Sequence, residues 1–233
     1  MTERDWDRAA DRYAAAAVAE GDPNRWFEEL WSAGSRDDID LPWNRTEPHP
    51  ALAEFLAQLP EPARPGMRAV VVGGALGADA EAVARAGYAT IAFDIAPSAV
   101  ALARARHPDS AVDYRVADLL DLPADLVGAF DLVVEIFTVQ AMPPDLRAQA
   151  IGGIRSLLTP GGRALLVQYV RGEAAADEGP PWMLDRAEME SFAGGEFVLA
   201  SLSRRDLSVR PGTPPVWVGV LERVAPLASD SAG

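Results

Sequence analysis

A chain of 233 residues is long enough to bury one full core, and a single α/β domain would use nearly all of it. With 35 acidic against 21 basic residues the formal net charge is −14, a surface that repels phosphate backbones and anionic lipid and so argues against nucleic acid or a membrane as partner. The sequence contains no Cys and no Lys, which excludes disulfides, thiolate nucleophiles, zinc clusters, Schiff bases and a P-loop lysine.

The two histidines, His49 and His107, lie far apart in the chain, and no metal site is expected from them. No apolar run approaches the roughly 18 residues a membrane helix needs. The start, Met1-Thr2-Glu3-Arg4-Asp5, is charged and lacks the apolar segment of a signal peptide, so a cytoplasmic protein is expected. Chemistry must then rest on carboxylates, hydroxyls, amides, aromatics or a bound cofactor.

The first 65 residues read as a helical appendage. Met1–Glu20 is Ala-rich and helical in pattern. Asp22-Pro23 suits the start of a second helix that ends at Gly34, and Glu47–Leu59 is a third. Pro60–Pro65 reads as a linker.

From residue 66 to about 225 short apolar runs alternate with helical patterns. Ala69–Val72 is a strand buried on both faces, stopping at Gly73-Gly74. Ala80–Ala86 is a helix closed by Gly87. Thr90–Phe93 is the second strand, Pro97–Arg106 the next helix and Val112–Val116 the third strand. Asp131–Ile136 is the fourth, followed by a helix from about Pro144 to Leu158 and a Pro160-Gly161-Gly162 turn into strand Ala164–Tyr169. Asp185–Phe192 is a short helix. Phe197–Ser203 and Val216–Glu222 are two last strands, which their short Pro/Gly connection makes antiparallel. This pattern predicts an α/β fold: a doubly wound, seven-stranded, mostly parallel sheet, with residues 226–233 as a frayed tail.

Ligands of such sheets sit beyond the carboxyl ends of the strands. The first strand ends in Gly73-Gly74-Ala75-Leu76-Gly77, where glycine lets the backbone turn tightly and approach a ligand. The second strand ends in Asp94, which suits the two hydroxyls of a ribose. The third is followed by Asp118, which suits an exocyclic amine of adenine. Either acid alone reads as a turn or helix cap. After a glycine turn and at β-α spacing, the two together read as a nucleoside site.

Residues 68–170 resemble a class I S-adenosylmethionine-dependent methyltransferase. The family's G-x-G-x-G falls on Gly73, Ala75 and Gly77, its ribose acid on Asp94 and its adenine-side acid on Asp118. Phe130-Asp131-Leu132-Val133-Val134 and Leu158-Thr159-Pro160-Gly161-Gly162 resemble two further motifs, and the closing hairpin is the family's ending. The resemblance assigns Gly73, Gly74, Ala75, Gly77, Asp94, Ile95, Asp118, Leu119 and Glu135 to the cofactor. There are two departures: Ala75 replaces the middle glycine, and Val71 stands where an acid is common. A nicotinamide site would need G-x-G-x-x-G with Ala75 and Ala78 as its second and third glycines. That match is poorer, and it leaves Asp118 and the hairpin without a role.

The N-terminal part resembles the thiopurine and thiol methyltransferase branch through Trp26-Phe27-Glu28-Glu29-Leu30-Trp31 and Leu41-Pro42-Trp43. The resemblance places Trp43 against the cofactor, where its face would attract a sulfonium. Tyr13, Trp31, Gln140 and Trp182 are the candidates for lining an acceptor pocket. Trp26 and Trp31 also suit simple packing of the appendage onto the sheet.

The expected partner is a small-molecule acceptor, with sulfur ahead of oxygen or nitrogen, and the protein a monomer or homodimer. A thiol needs no strong base, whereas an alcohol would; the candidate bases are His49 and Tyr13. The reading from a different class is a catalytically inactive methyltransferase-fold protein, for which Ala75 and Val71 speak.

Overall fold

The structure is a computed structural model that describes residues 12–17, 20–21, 25–35, 44–59, 63–172, 179–207 and 213–225. Trp43, residues 60–62 of the Pro60–Pro65 linker, residues 1–11 and 18–19 of the Met1–Glu20 helix and the 226–233 tail lie outside the described residues.

A helical stretch over residues 12–17 is followed by α1 (Arg25–Ser35) and α2 (Pro50–Ala57). Then come β1 (Arg68–Val72), α3 (Ala78–Arg85), β2 (Ala89–Asp94), α4 (Pro97–Arg106), β3 (Asp113–Val116) and β4 (Phe130–Ile136). The chain continues with α5 (Arg147–Leu157), β5 (Leu158–Tyr169), α6 (Arg186–Glu190), β6 (Phe197–Arg205) and β7 (Val216–Arg223). The seven strands form one sheet in the order β3-β2-β1-β4-β5-β7-β6. β1 to β5 run parallel, and β7 pairs antiparallel with both β5 and β6.

Alternation along the strands builds the two core layers. Val70 and Val72 of β1 face the layer that holds Ile151, Ile154 and Leu157 of α5 and Met189 of α6. Ala69 and Val71 face Leu52 of α2, Val83 of α3 and Val100 of α4. Val71, in the place of the common acid, is therefore an ordinary core residue of this second layer, 3% exposed.

Most predicted boundaries shift by up to three residues, and at two places the local structure itself differs. Pro160-Gly161-Gly162 is not a turn ahead of the strand. β5 already starts at Leu158, which pairs with Phe130, and the register slips between Phe130 and Leu132. Gly161 takes φ +83°, and a Cβ on Gly162 would lie 2.8 Å from the Phe130 carbonyl oxygen, so the segment is a bulged strand entry. The helix expected from Pro144 begins as a single tight turn, Pro144–Leu146, before α5.

Candidate active site

The strand order reverses between β1 and β4, so β2 and β4 lie on either side of β1 at its carboxyl end. Gly73, the first residue after β1, takes φ +63° and faces the turn after β4: a Cβ there would meet Thr138 Oγ1 at 2.5 Å. Gly77 takes φ +89° and packs on the Tyr114 hydroxyl, which a Cβ would approach to 2.3 Å. Ala75 between them also adopts a left-handed φ, +47°, a conformation that L-residues other than glycine adopt at a cost.

Asp94 ends β2 and is 9% exposed. Its Oδ2 accepts a hydrogen bond from Ala75 N at 3.2 Å, and its Oδ1 accepts one from Ala96 N at 3.0 Å. Burial raises its pKa to about 6; backbone N–H groups of Ala96, Ala75 and Ile95 oppose the rise, and nearby Glu28 adds to it. The acid thus ties the glycine turn to the start of α4. Each carboxylate oxygen has two lone pairs, so capacity remains for ligand hydroxyls. Asp118, partly exposed, accepts from Leu120 N at 2.8 Å in a local turn, with Leu119 buried behind it. The residues Gly73 to Gly77, Asp94, Ile95, Asp118 and Leu119 all lie at or just beyond the carboxyl ends of β1, β2 and β3.

Glu135 is fully buried near the end of β4. Its Oε1 accepts from Thr138 N at 2.8 Å and Val139 N at 3.0 Å, and its Oε2 accepts from Gln168 Nε2. Burial moves its pKa up to about 7 against these three donors. Gln140, 2% exposed, belongs to the same network: its N donates to Gln168 Oε1 at 3.2 Å, and its Oε1 accepts from Tyr169 N at 2.5 Å. Trp182 N donates to Gln140 O at 2.7 Å, and Arg147 Nη2 donates to Trp182 O at 2.9 Å.

Helix α1 and the stretch over residues 12–17 lie along the same edge. Trp31 is 2% exposed and packs on Leu76, Ala96 and Ala99, with Ala75 at the margin. Glu28 accepts from Ser98 N at 3.0 Å and from Ser98 Oγ at 2.5 Å, which satisfies a donor in the first turn of α4. Tyr13 packs against the small cluster that holds Trp26 and Leu30, and Ala141, from the turn after β4, packs against the same cluster.

His49 caps α2: its Nδ1 accepts from Ala51 N at 3.2 Å, and its own N donates to Asp79 Oδ1 at 2.7 Å. Desolvation lowers its pKa to about 4. The ring stands edge-on to Phe137 at 5.3 Å, and Phe137 stacks on Tyr169 at 4.4 Å. Phe137, Gln168 and Glu28 are absent from the sequence-derived site. A signal for Gln168 existed, since it and Glu135 are the polar exceptions near the ends of two neighbouring apolar strands.

A seven-stranded sheet in this order, with β7 antiparallel between β5 and β6, and a glycine turn bonded to an acid at the end of β2, defines a protein with the class I methyltransferase fold. The thiopurine S-methyltransferase family matches residues 22–217, and the chain belongs to that family. The ubiquinone biosynthesis O-methyltransferase of Xanthomonas axonopodis pv. citri (strain 306) is 34% identical over 167 residues, 71% of this chain and 62% of that one. The chain therefore spans less than two thirds of the length of that relative.

Among solved structures, a protein described with the conversion of a disulfide bond into a thioacetal group during echinomycin biosynthesis superposes with a TM-score of 0.68. It is 19% identical, and the match covers 85% of this chain and 93% of that one. The 1,6-didemethyltoxoflavin-N1-methyltransferase of Burkholderia thailandensis, solved with its substrate and S-adenosylhomocysteine, superposes with a TM-score of 0.61 at 19% identity. That match covers 92% of this chain and 90% of the other. Among the described residues no helix is long and apolar enough to cross a membrane, and no cluster of His, Asp and Glu is arranged to hold a metal ion.

Proposed function

We propose that the protein is an S-adenosylmethionine-dependent methyltransferase acting on a small molecule, with sulfur as the favoured acceptor atom. The observation that carries the reading is the hydrogen bond between Ala75 N and Asp94 Oδ2, which joins the glycine turn to the acid beside the point of strand reversal. Asp94 would receive the ribose hydroxyls, Asp118 the adenine amine, and the Gly73–Gly77 backbone the amino-acid end of the cofactor. When bound, S-adenosylmethionine supplies an electrophilic methyl group on a sulfonium.

What remains for the protein is alignment and exclusion of water, which supply much of the acceleration of an in-line displacement. Support for sulfur comes from the family and from His49. With Nδ1 engaged in a helix cap and a pKa near 4, His49 is a poor general base. A thiol with an ordinary pKa of about 8.5 supplies its own thiolate near neutral pH. An alcohol would need a base that His49 does not provide. The O-methyltransferase relative and the N1-methyltransferase fold neighbour keep oxygen and nitrogen as the competing acceptors.

The test has two stages. S-adenosylhomocysteine should raise the melting temperature and NAD should not, because a ligand of the native state stabilises it by mass action. A panel of thiols, phenols and amines, followed by mass spectrometry for S-adenosylhomocysteine, then identifies the acceptor. Binding of NAD without binding of S-adenosylhomocysteine would overturn the assignment; turnover of phenols alone would overturn only the sulfur preference.

A further inference from the structure

Side chains alternate along β4 until its end, where the alternation fails. Leu132 and Val134 face one core layer and Val133 the other, so Ile136 and Phe137 should point to opposite faces. Instead both pack against the layer of Val134 and Val167. The reason is the backbone of Phe137, φ +65°, a left-handed conformation that is a true outlier for a bulky side chain. Such strain persists only where the surroundings over-determine it.

The surroundings here are specific. Phe137 N donates to Val167 O at 2.9 Å, and Thr138 Oγ1 donates to Val72 O at 3.1 Å. The two amides that follow Phe137, those of Thr138 and Val139, both end on one oxygen of Glu135. The other oxygen of Glu135 takes Gln168 Nε2, which fixes the orientation of that amide. The Oε1 of Gln168 then faces Gln140 N, and Gln140 O holds Trp182 N. Every donor and acceptor in this chain has one permitted sense.

We infer that Glu135 is a positioning residue whose carboxylate holds the left-handed turn at Phe137 and, through Gln168 and Gln140, the segment carrying Trp182, so that the two segments holding the acceptor-pocket candidates Gln140 and Trp182 are set as one unit. The link to methyl transfer rests on the proposed function; the mechanical link between the two segments does not. Glu135 is a bonding hub and has no need to touch the cofactor.

The hydrogen-bond senses provide the test. In Glu135→Gln the new amide can still accept from Thr138 N and Val139 N, but its NH2 then opposes the NH2 of Gln168. Rotating Gln168 only moves the conflict to Gln140 N. The double variant Glu135→Gln, Gln168→Glu restores every sense. The amide introduced at position 135 donates to the carboxylate introduced at position 168, and that carboxylate accepts from Gln140 N.

Amide hydrogen exchange by mass spectrometry should show 137–142 and 179–184 both exchanging about tenfold or more faster in the single variant, as loss of a buried hydrogen bond implies. Both segments should return to wild-type rates in the double variant. A merely local cap would alter 137–142 and leave 179–184 unchanged, and that result overturns the inference. If the single variant unfolds, the double variant decides: wild-type protection in both segments supports the inference, and failure to recover overturns it. Calorimetry of the wild type with S-adenosylhomocysteine runs alongside. Absence of binding there would sink the proposed function while leaving the exchange result to judge the coupling.

Discussion

Ala75 and Asp94 hold each other in place: the amide of the one residue in the glycine turn that is not glycine at a motif position donates to the acid that ends β2, at 3.2 Å. Ala75 does so at φ +47°. The bond and the strain belong to the same residue, so the turn keeps its conformation without the glycine usual at that position.

Ala75→Gly should therefore be tolerated. Relief of the left-handed strain contributes about 1 kcal/mol, and the greater freedom of glycine in the unfolded chain offsets about 0.5–1 kcal/mol of it. The melting temperature should stay within a few degrees, and affinity for S-adenosylhomocysteine should be equal or tighter. A large loss of affinity by calorimetry would mean that the methyl group of Ala75 contacts the ligand directly.

Asp94 gives the cofactor site a pH dependence. Its pKa stands near 6, above the usual carboxylate value, so below pH 6 the free protein carries a proton there. Ribose hydroxyls donate to the ionised form, so binding below that pH must release the proton. Affinity for S-adenosylhomocysteine should rise toward tenfold per pH unit below 6 and level off above it. Asp94→Asn should bind more weakly at pH 8 and lose this slope. A slope that survives in Asp94→Asn would assign the titration to another group.

His49 should matter for stability more than for turnover. It caps α2, and replacing a cap by Ala costs about 0.5–2 kcal/mol. Its folded pKa of about 4 lies below the ordinary 6.5, so the stabilisation from burying the neutral ring is complete above pH 6.5 and is lost as pH falls toward 4. Asp94 and Glu135, with raised values, contribute in the opposite direction, so the informative quantity is the difference between wild type and His49→Ala. That difference in unfolding free energy should shrink from pH 7 to pH 5, while methylation of a thiol at pH 7.5 stays within a few fold. Severe loss of turnover in a folded His49→Ala would restore His49 as a base.

The first two strands were legible because each is an apolar run closed by glycine or an acid. β1 through Val72 and the helix Pro97–Arg106 needed no tertiary information. The entry to β5 was not legible, because Pro160-Gly161-Gly162 has the composition of a turn and only the pairing of Leu158 with Phe130 makes it strand. Asp94 and Asp118 announced themselves by position, at strand ends. The left-handed φ of Phe137 had no local signal: nothing in Ile136-Phe137-Thr138 favours it, and it follows from bonds made by Glu135 and Val167. The docking of Glu28 on Ser98 was equally hidden, since it spans 70 residues.

That contact makes α1 testable as a lid. Ser98 N, in the first turn of α4, has no intrahelical partner, and Glu28 of α1 supplies one while Trp31 of the same helix covers Leu76 and Ala96. Glu28→Ala leaves that amide to water and removes the tie between α1 and the corner that follows Asp94. Stability should fall by about 1–2 kcal/mol. If α1 must lift for the cofactor to leave, S-adenosylhomocysteine should dissociate several-fold faster in stopped-flow experiments. The charge change adds an independent signature. Glu28 helps to raise the pKa of Asp94, so its removal should move the midpoint of the binding–pH curve below 6. Faster dissociation together with a lowered midpoint would place α1 over the ribose end of the site. An unchanged dissociation rate would reduce α1 to packing, whatever the midpoint did.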